Sequence, residues 1–172
     1  IAYVPSLDLF LDGTAEQSGV GELPPLDQGA ISLIIGAHGA HPASRQVHIP
    51  VQPAQANLNV SDYVLTLSTD GALAVRGTER FRGQANAGER RTFADEATRT
   101  EQLQRHLARV MPGAQVTRLE MGDLSLGAEE LSYRFEALLP RRAVVEGNGA
   151  LTLQLSLYPH DLSGSYAERS TR

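Results

Sequence analysis

Apolar residues recur at every second position along three stretches of this chain, and that period constrains the fold more than any other feature. Leu151, Leu153, Leu155 and Leu157 alternate with Thr152, Gln154 and Ser156. Leu131, Tyr133, Phe135, Ala137 and Leu139 alternate with Ser132, Arg134 and Glu136. Tyr63, Leu65 and Leu67 alternate with Val64, Thr66 and Ser68. Successive side chains on a strand point to opposite faces, so each stretch predicts a strand with one apolar face. Thr69-Asp70-Gly71 is a hairpin signal. The return strand, Leu73 to Phe81, sets Leu73, Val75 and Phe81 on one face and Arg76, Thr78, Arg80 and Arg82 on the other. Such an arginine row is expected to be solvated or paired with carboxylates. A further strand is expected from Gln115 to Met121.

A sheet with one apolar face needs a cover. Phe93, Ala97, Thr100, Leu103, Leu107 and Val110 recur at three- and four-residue spacing, which predicts one long helix over about 89–111. Its single stripe is expected to pack on a sheet face. Asn86 and Glu89 read as a capping box at its start. Asp95 with Arg99 and Glu101 with Arg105 are i,i+4 pairs, and Pro112-Gly113 is the stop signal. The expected fold class is therefore α+β, strand-dominated, with antiparallel sheets and that one helix.

The first third is less regular. Tyr3 to Ala15 reads as two short apolar strands meeting at a turn, with Asp12-Gly13-Thr14 closing the second. Gly19, Gly21, Pro24 and Pro25 make 16–29 a loop. Ala30 to Ile35 is a nearly continuous apolar run that fits a strand covered on both faces. Gln46 to Val51 is expected to be extended, with Pro50 and Pro53 confining it to an edge or a linker.

Composition narrows the chemistry. With 172 residues the chain can form one domain or two small ones. A net charge of −5 argues against nucleic acid or an acidic membrane as partner. No apolar run is long enough to span a bilayer, and no signal-peptide pattern is found. The chain starts at Ile1, which reads as a processed product or an excised fragment. There is no Cys, hence no disulfide, thiolate metal site or cysteine nucleophile within this chain. All 15 basic residues are Arg, which removes Schiff-base chemistry and a phosphate-loop lysine. His38, His41 and His48 have ligating side chains, but they sit in a Gly-Ala-Pro connector without a rigid scaffold, so no metal is expected. No cofactor is expected either. Glu129 and Glu130 are adjacent and should point to opposite faces, which unsuits them as an acid/base pair. Asn59-Val60-Ser61 fits a glycosylation sequon.

Asp12 remains. An Asp-Gly-Thr turn is ordinary on its own. In context, YVPSLDLFLDGTAE followed by ELPPLDQGAISLII resembles the end of the catalytic core of bacterial transglutaminase-like proteins, of the papain-like cysteine group. The resemblance implies that Asp12 is the acid of a Cys-His-Asp triad, orienting the histidine, with Gly13 where proline is more usual. Tyr63 to Tyr158, with Gly83, Arg90, Arg91 and Pro112-Gly113, is similar to a β-rich domain of uncharacterised function that follows this core in one bacterial branch.

By that resemblance, residues 1–36 are the last strands of a truncated core and 37–56 a linker. Residues 57–160 are a β-rich accessory domain with one helix, and 161–172 a flexible tail. No Cys occurs and no His precedes Asp12, so nucleophile and base are expected upstream of Ile1. The chain alone is expected to be no enzyme, although its parent is a cysteine protease, amidase or acyltransferase by family. It is expected to be an accessory domain that positions a protein or peptidoglycan-like substrate or packs on the upstream core, in a periplasmic or extracytoplasmic setting. The alternative is a stand-alone binding or adhesion module whose Arg76–Arg82 row meets an anionic ligand or partner protein. Ranked last is an enzyme pairing Asp12 with a loop histidine.

Overall fold

Alternating burial in the computed structural model follows the period-two pattern closely. The structure describes residues 1–35, 44–147 and 149–154. Strands β5 (Asn59–Leu67), β6 (Leu73–Arg82), β7 (Gln115–Met121) and β8 (Glu130–Leu139) form a four-stranded sheet in the order β5-β6-β8-β7. On β6 and β8 every odd-numbered residue from 73 to 81 and from 131 to 139 is buried. The β5–β6 turn is closed by Ser68, whose N–H donates to the Ala72 carbonyl at 2.9 Å. Asp70 accepts from the Ser68 hydroxyl, and Gly71 takes the left-handed φ of +83° that a hairpin turn favours.

Three smaller antiparallel pairs complete the strands. β1 (Ala2–Val4) pairs with β2 (Leu9–Leu11), Tyr3 opposite Phe10, through a 3₁₀ turn at Pro5–Leu7. β3 (Ile31–Ile34) pairs with β4 (Arg45–His48), Ile31 opposite His48. β9 (Val144–Val145) pairs with β10 (Leu151–Thr152). The chain is thus strand-rich α+β with antiparallel pairing. Gln46–Val51 is extended for its first part, as expected. Ala30–Ile35 departs from the expectation of a strand covered on both faces, because Ile31 and Leu33 are exposed. The leucine run 151–157 yields only a two-residue strand among the described residues. Leu155, Leu157 and the tail lie outside them.

The single long helix is a correction. α1 spans Gln84–Thr92, a 3₁₀ turn spans Glu96–Thr98, and α2 spans Arg99–Val110. Arg90 and Arg91 sit in the last turn of α1, and Glu96 opens the next helical segment. Basic residues favour a helix C-terminus and acidic ones an N-terminus, so the charges mark an end and a new start. Phe93 stands between them as the α1 C-cap, its ring 1% exposed. The expected capping box also fails. Gly83 is the N-cap, with φ +69°, and a Cβ there would fall 2.3 Å from the Asn57 Oδ1 that receives the Gln84 N–H. Asn86 lies inside the first turn, fully buried.

By contacts the chain divides into two compact units. The first comprises Ile1–Asp62, Thr78–Glu96 and Glu120–Arg134, and the second Tyr63–Gly77, Ala97–Leu119 and Phe135–Arg172. In the second, Leu103 and Leu107 of α2 are buried, with Leu73, Val75, Phe135, Ala137 and Leu139. Gln104 fastens α2 to the start of β7: its amide donates to the Ala114 carbonyl and accepts from the Val116 N–H. Gly77 leaves room for Tyr63 and Phe135 to meet edge-on, centroids 5.9 Å apart. In the first unit, Tyr133 contacts both Phe81 and Phe93. A separate cluster of Phe10, Leu23 and Ile49 is joined by Tyr3, Ala30, Ile34 and Val47.

Candidate functional site

Asp12 closes β2 and is half-buried. Its Oδ1 accepts from the Thr14 N–H at 2.9 Å and the Thr14 hydroxyl at 2.7 Å. The Thr14 amide, then the hydroxyl, hold its carboxyl below the usual carboxylate range, with a smaller contribution from Asp27. The carboxylate therefore caps its own turn. Among the described residues no histidine hydrogen-bonds it. His48 lies exposed on β4, whereas His38 and His41 lie outside the described residues. No group of three His, Cys, Asp or Glu side chains is placed to hold a metal ion among the described residues.

The arginine row is paired. Arg76 faces Glu136 at 3.3 Å, Arg80 faces Asp62 at 2.7 Å and Arg82 faces Glu130 at 2.9 Å, all on the exposed face. Of Glu129 and Glu130, only the second has its carboxylate in an ion pair among the described residues. Glu130 joins that face, while the Glu129 carbonyl accepts from Asn86.

The most tightly built polar arrangement escaped the sequence reading. Arg90 of α1 is 1% exposed. Its Nη1 donates to Glu22 Oε2 at 2.7 Å and to the Gln17 carbonyl, and its Nη2 donates to the Ala128 carbonyl. Glu22 also accepts from the Gly19 N–H and from Asn86 Nδ2. Burial pushes the Glu22 carboxyl up, but the bonds from Arg90, Gly19 and Asn86 outweigh it, and it titrates below its ordinary range. Asn86 Oδ1 and Arg90 Nε have no partner among the described residues. The spacing of Asn86, Arg90 and Phe93 was the available signal, since it puts two polar side chains on the same helix face as a buried aromatic.

Close by, Glu79 is 4% exposed on the apolar face of β6 and accepts from the Ser61 hydroxyl at 2.5 Å. Burial first, then the Glu79 charge, raises the Glu89 carboxyl from 4.5 to about 7.

The described residues of the first unit line at least two concavities. One, about 230 Å³, runs between the 15–25 loop and α1, with Glu16, Ser18, Pro24, Gln84 and Arg91 on its walls. The other, about 480 Å³, lies on the exposed sheet face over Thr78, Arg80, Gly122, Ser132 and Arg134.

Compared with protein-family models, curated proteins and solved structures, the chain matches none.

Proposed function

We propose that this chain is a non-catalytic accessory module of a larger transglutaminase-like protein, and that it packs on the catalytic core or presents a protein or cell-wall substrate to it. The observation that carries the reading is the exposure of apolar side chains within residues 1–35. Leu7, Val20, Leu26, Ile31, Leu33 and Ile35 are all more than 60% exposed, Leu26 reaching 93%. Ile31 and Leu33 share one face of β3, while Ile34 turns to the Phe10 cluster. The exposed pair Ile31 and Leu33 on one face of β3 is the proposed interaction surface, and the upstream core its proposed cover. In this reading the Leu103–Leu107 stripe of α2 covers the apolar face of the four-stranded sheet. Asp12 would contribute only the turn that ends the core, its orienting role requiring side chains from upstream.

The rival anion-binding role of the Arg76–Arg82 row is weakened because each of its guanidinium groups already faces a carboxylate. Reading the gene upstream of the Ile1 codon tests the accessory proposal. An open frame encoding a Cys and then a His before Asp12 is expected, and an in-frame stop just upstream overturns it. The upstream product, co-expressed with this chain, should copurify with it, and Ile31→Ser with Leu33→Ser should abolish the association.

A further inference from the structure

Among the described residues, charge pairing on the exposed sheet face does not include Arg134. Among the described residues Arg134 has neither an ion-pair nor a hydrogen-bond partner, although Arg76, Arg80 and Arg82 on the neighbouring strand each face an acid. The pairs Arg76–Glu136 and Arg82–Glu130 are six residues apart on each strand. Together with the close approach of Gly77 and Phe135, they fit an antiparallel register with Thr78 opposite Arg134 and Arg80 opposite Ser132. The concavity of about 480 Å³ lies over these four positions, and Met121, Gly122, Tyr133 and two acids, Glu120 and Glu130, complete its lining.

Gly122 keeps the floor open. Its N–H donates to the Ser132 carbonyl at 2.7 Å, and a Cβ there would fall 2.8 Å from both the Ser132 carbonyl oxygen and Oγ. Its φ lies outside the left-handed region, so the backbone does not require glycine. A side chain at 122 would occupy the space above the serine hydroxyl.

We infer that this concavity is a carboxylate-binding site centred on Arg134. The inference is independent of the accessory reading. A guanidinium offers a planar fork that matches an oxyanion in two parallel hydrogen bonds. Thr78 and Ser132 line the same concavity, and their hydroxyls can donate to the remaining lone pairs. Charge count selects among anions. The lining holds two guanidinium groups and two carboxylates, and three of these four charges are already engaged. That balance suits a single negative charge and disfavours a phosphate dianion, as does the chain's net charge of −5. The ligand is a small carboxylic acid or a polypeptide C-terminus.

The test is a titration of the full chain, observed through backbone amide and arginine Nε–H resonances. The probes are acetate, N-acetyl-dialanine, N-acetyl-dialanine amide and inorganic phosphate. Both carboxylates should shift Gly122, Ser132 and Arg134 resonances in the millimolar range, and the amide should not. Tighter binding of N-acetyl-dialanine than acetate assigns the site to chain termini, and equal binding assigns it to small acids. Arg134→Gln should weaken the carboxylates by about tenfold or more, as expected for a hydrogen bond to a charged group. Arg134→Lys should fall between the two, and the charge-matched control Arg109→Gln should bind as the parent does. Equal binding of acid and amide, tighter binding of phosphate, or undiminished binding by Arg134→Gln with an unchanged melting temperature would each overturn the assignment.

Discussion

The two compact units bury different things. In the second, the buried large side chains are apolar: Leu73, Val75, Leu103, Leu107, Phe135 and Leu139. In the first, Phe81, Phe93, Leu131 and Tyr133 share the interior with Glu79, Asn86 and Arg90. Apolar burial is non-directional and tolerates small errors of geometry. A buried ion pair must satisfy each donor and acceptor or it becomes a liability. The first unit is therefore specified more by polar geometry, and the second more by volume.

The largest expected effect breaks the polar side of that contrast. Arg90→Ala leaves the partly buried Glu22 without its guanidinium and should destabilise by about 3 kcal/mol in urea unfolding. The double variant Arg90→Met with Glu22→Leu removes both charges and should recover much of the loss. A double variant as unstable as the single one would show that burial of charge is not what distinguishes this unit. The apolar side is probed by Leu103→Ala, expected to cost about 2–5 kcal/mol through lost burial and the cavity left behind. Next comes Gly77→Ala. Its methyl would fall 2.2 Å from the Phe135 ring and 2.8 Å from that of Tyr63, so about 1–3 kcal/mol of overpacking is expected in thermal unfolding.

The smallest expected effect concerns pH and again separates two acids of the first unit. Glu89 is raised from 4.5 to about 7, so the folded state holds its proton more tightly than the unfolded chain. Its contribution is full below about 4.5 and is lost as pH rises through about 7. Glu22 is shifted the other way, so its contribution is present above the ordinary glutamate range and is lost as pH falls through its lowered value. Glu89→Gln should flatten the decline between pH 4.5 and 7, worth about 1–2 kcal/mol after partial solvent screening, and leave the acid limb intact. A decline unchanged in Glu89→Gln would assign it to another group.

What was legible in the sequence tracks the same divide. Period-two alternation located β5, β6, β7 and β8, because a half-buried sheet writes its faces directly into the chain. The Asp70-Gly71 turn was legible for the same reason, since its backbone demands particular residues. The helix break was missed. Leu103 and Leu107 did keep the stripe, but Ala97 and Thr100 are exposed, and their spacing carried the pattern across a gap that Arg91 and Glu96 mark by charge. The Arg90–Glu22–Asn86 arrangement was legible only on its helix side, where spacing puts Asn86 and Arg90 on the face of the buried Phe93. Periodicity reports which face is apolar, and nothing local shows that an arginine will find an acid 68 residues earlier. Arg134, without an ion-pair partner among the described residues, was hidden likewise, because register decides which arginines meet carboxylates.

Those separations bear on the order in which the chain assembles. The Arg90 guanidinium reaches Glu22 and Ala128, 68 and 38 residues away, whereas the Ser68–Ala72 turn closes across four. Loop-closure entropy must be overcome before a distant contact returns any free energy. The β5–β6 hairpin is thus expected to form early and the Arg90 clasp late. Kinetic analysis of Arg90→Ala should then show faster unfolding with an almost unchanged folding rate, a φ-value near 0. The clasp would set how long the native state persists rather than how quickly it is found.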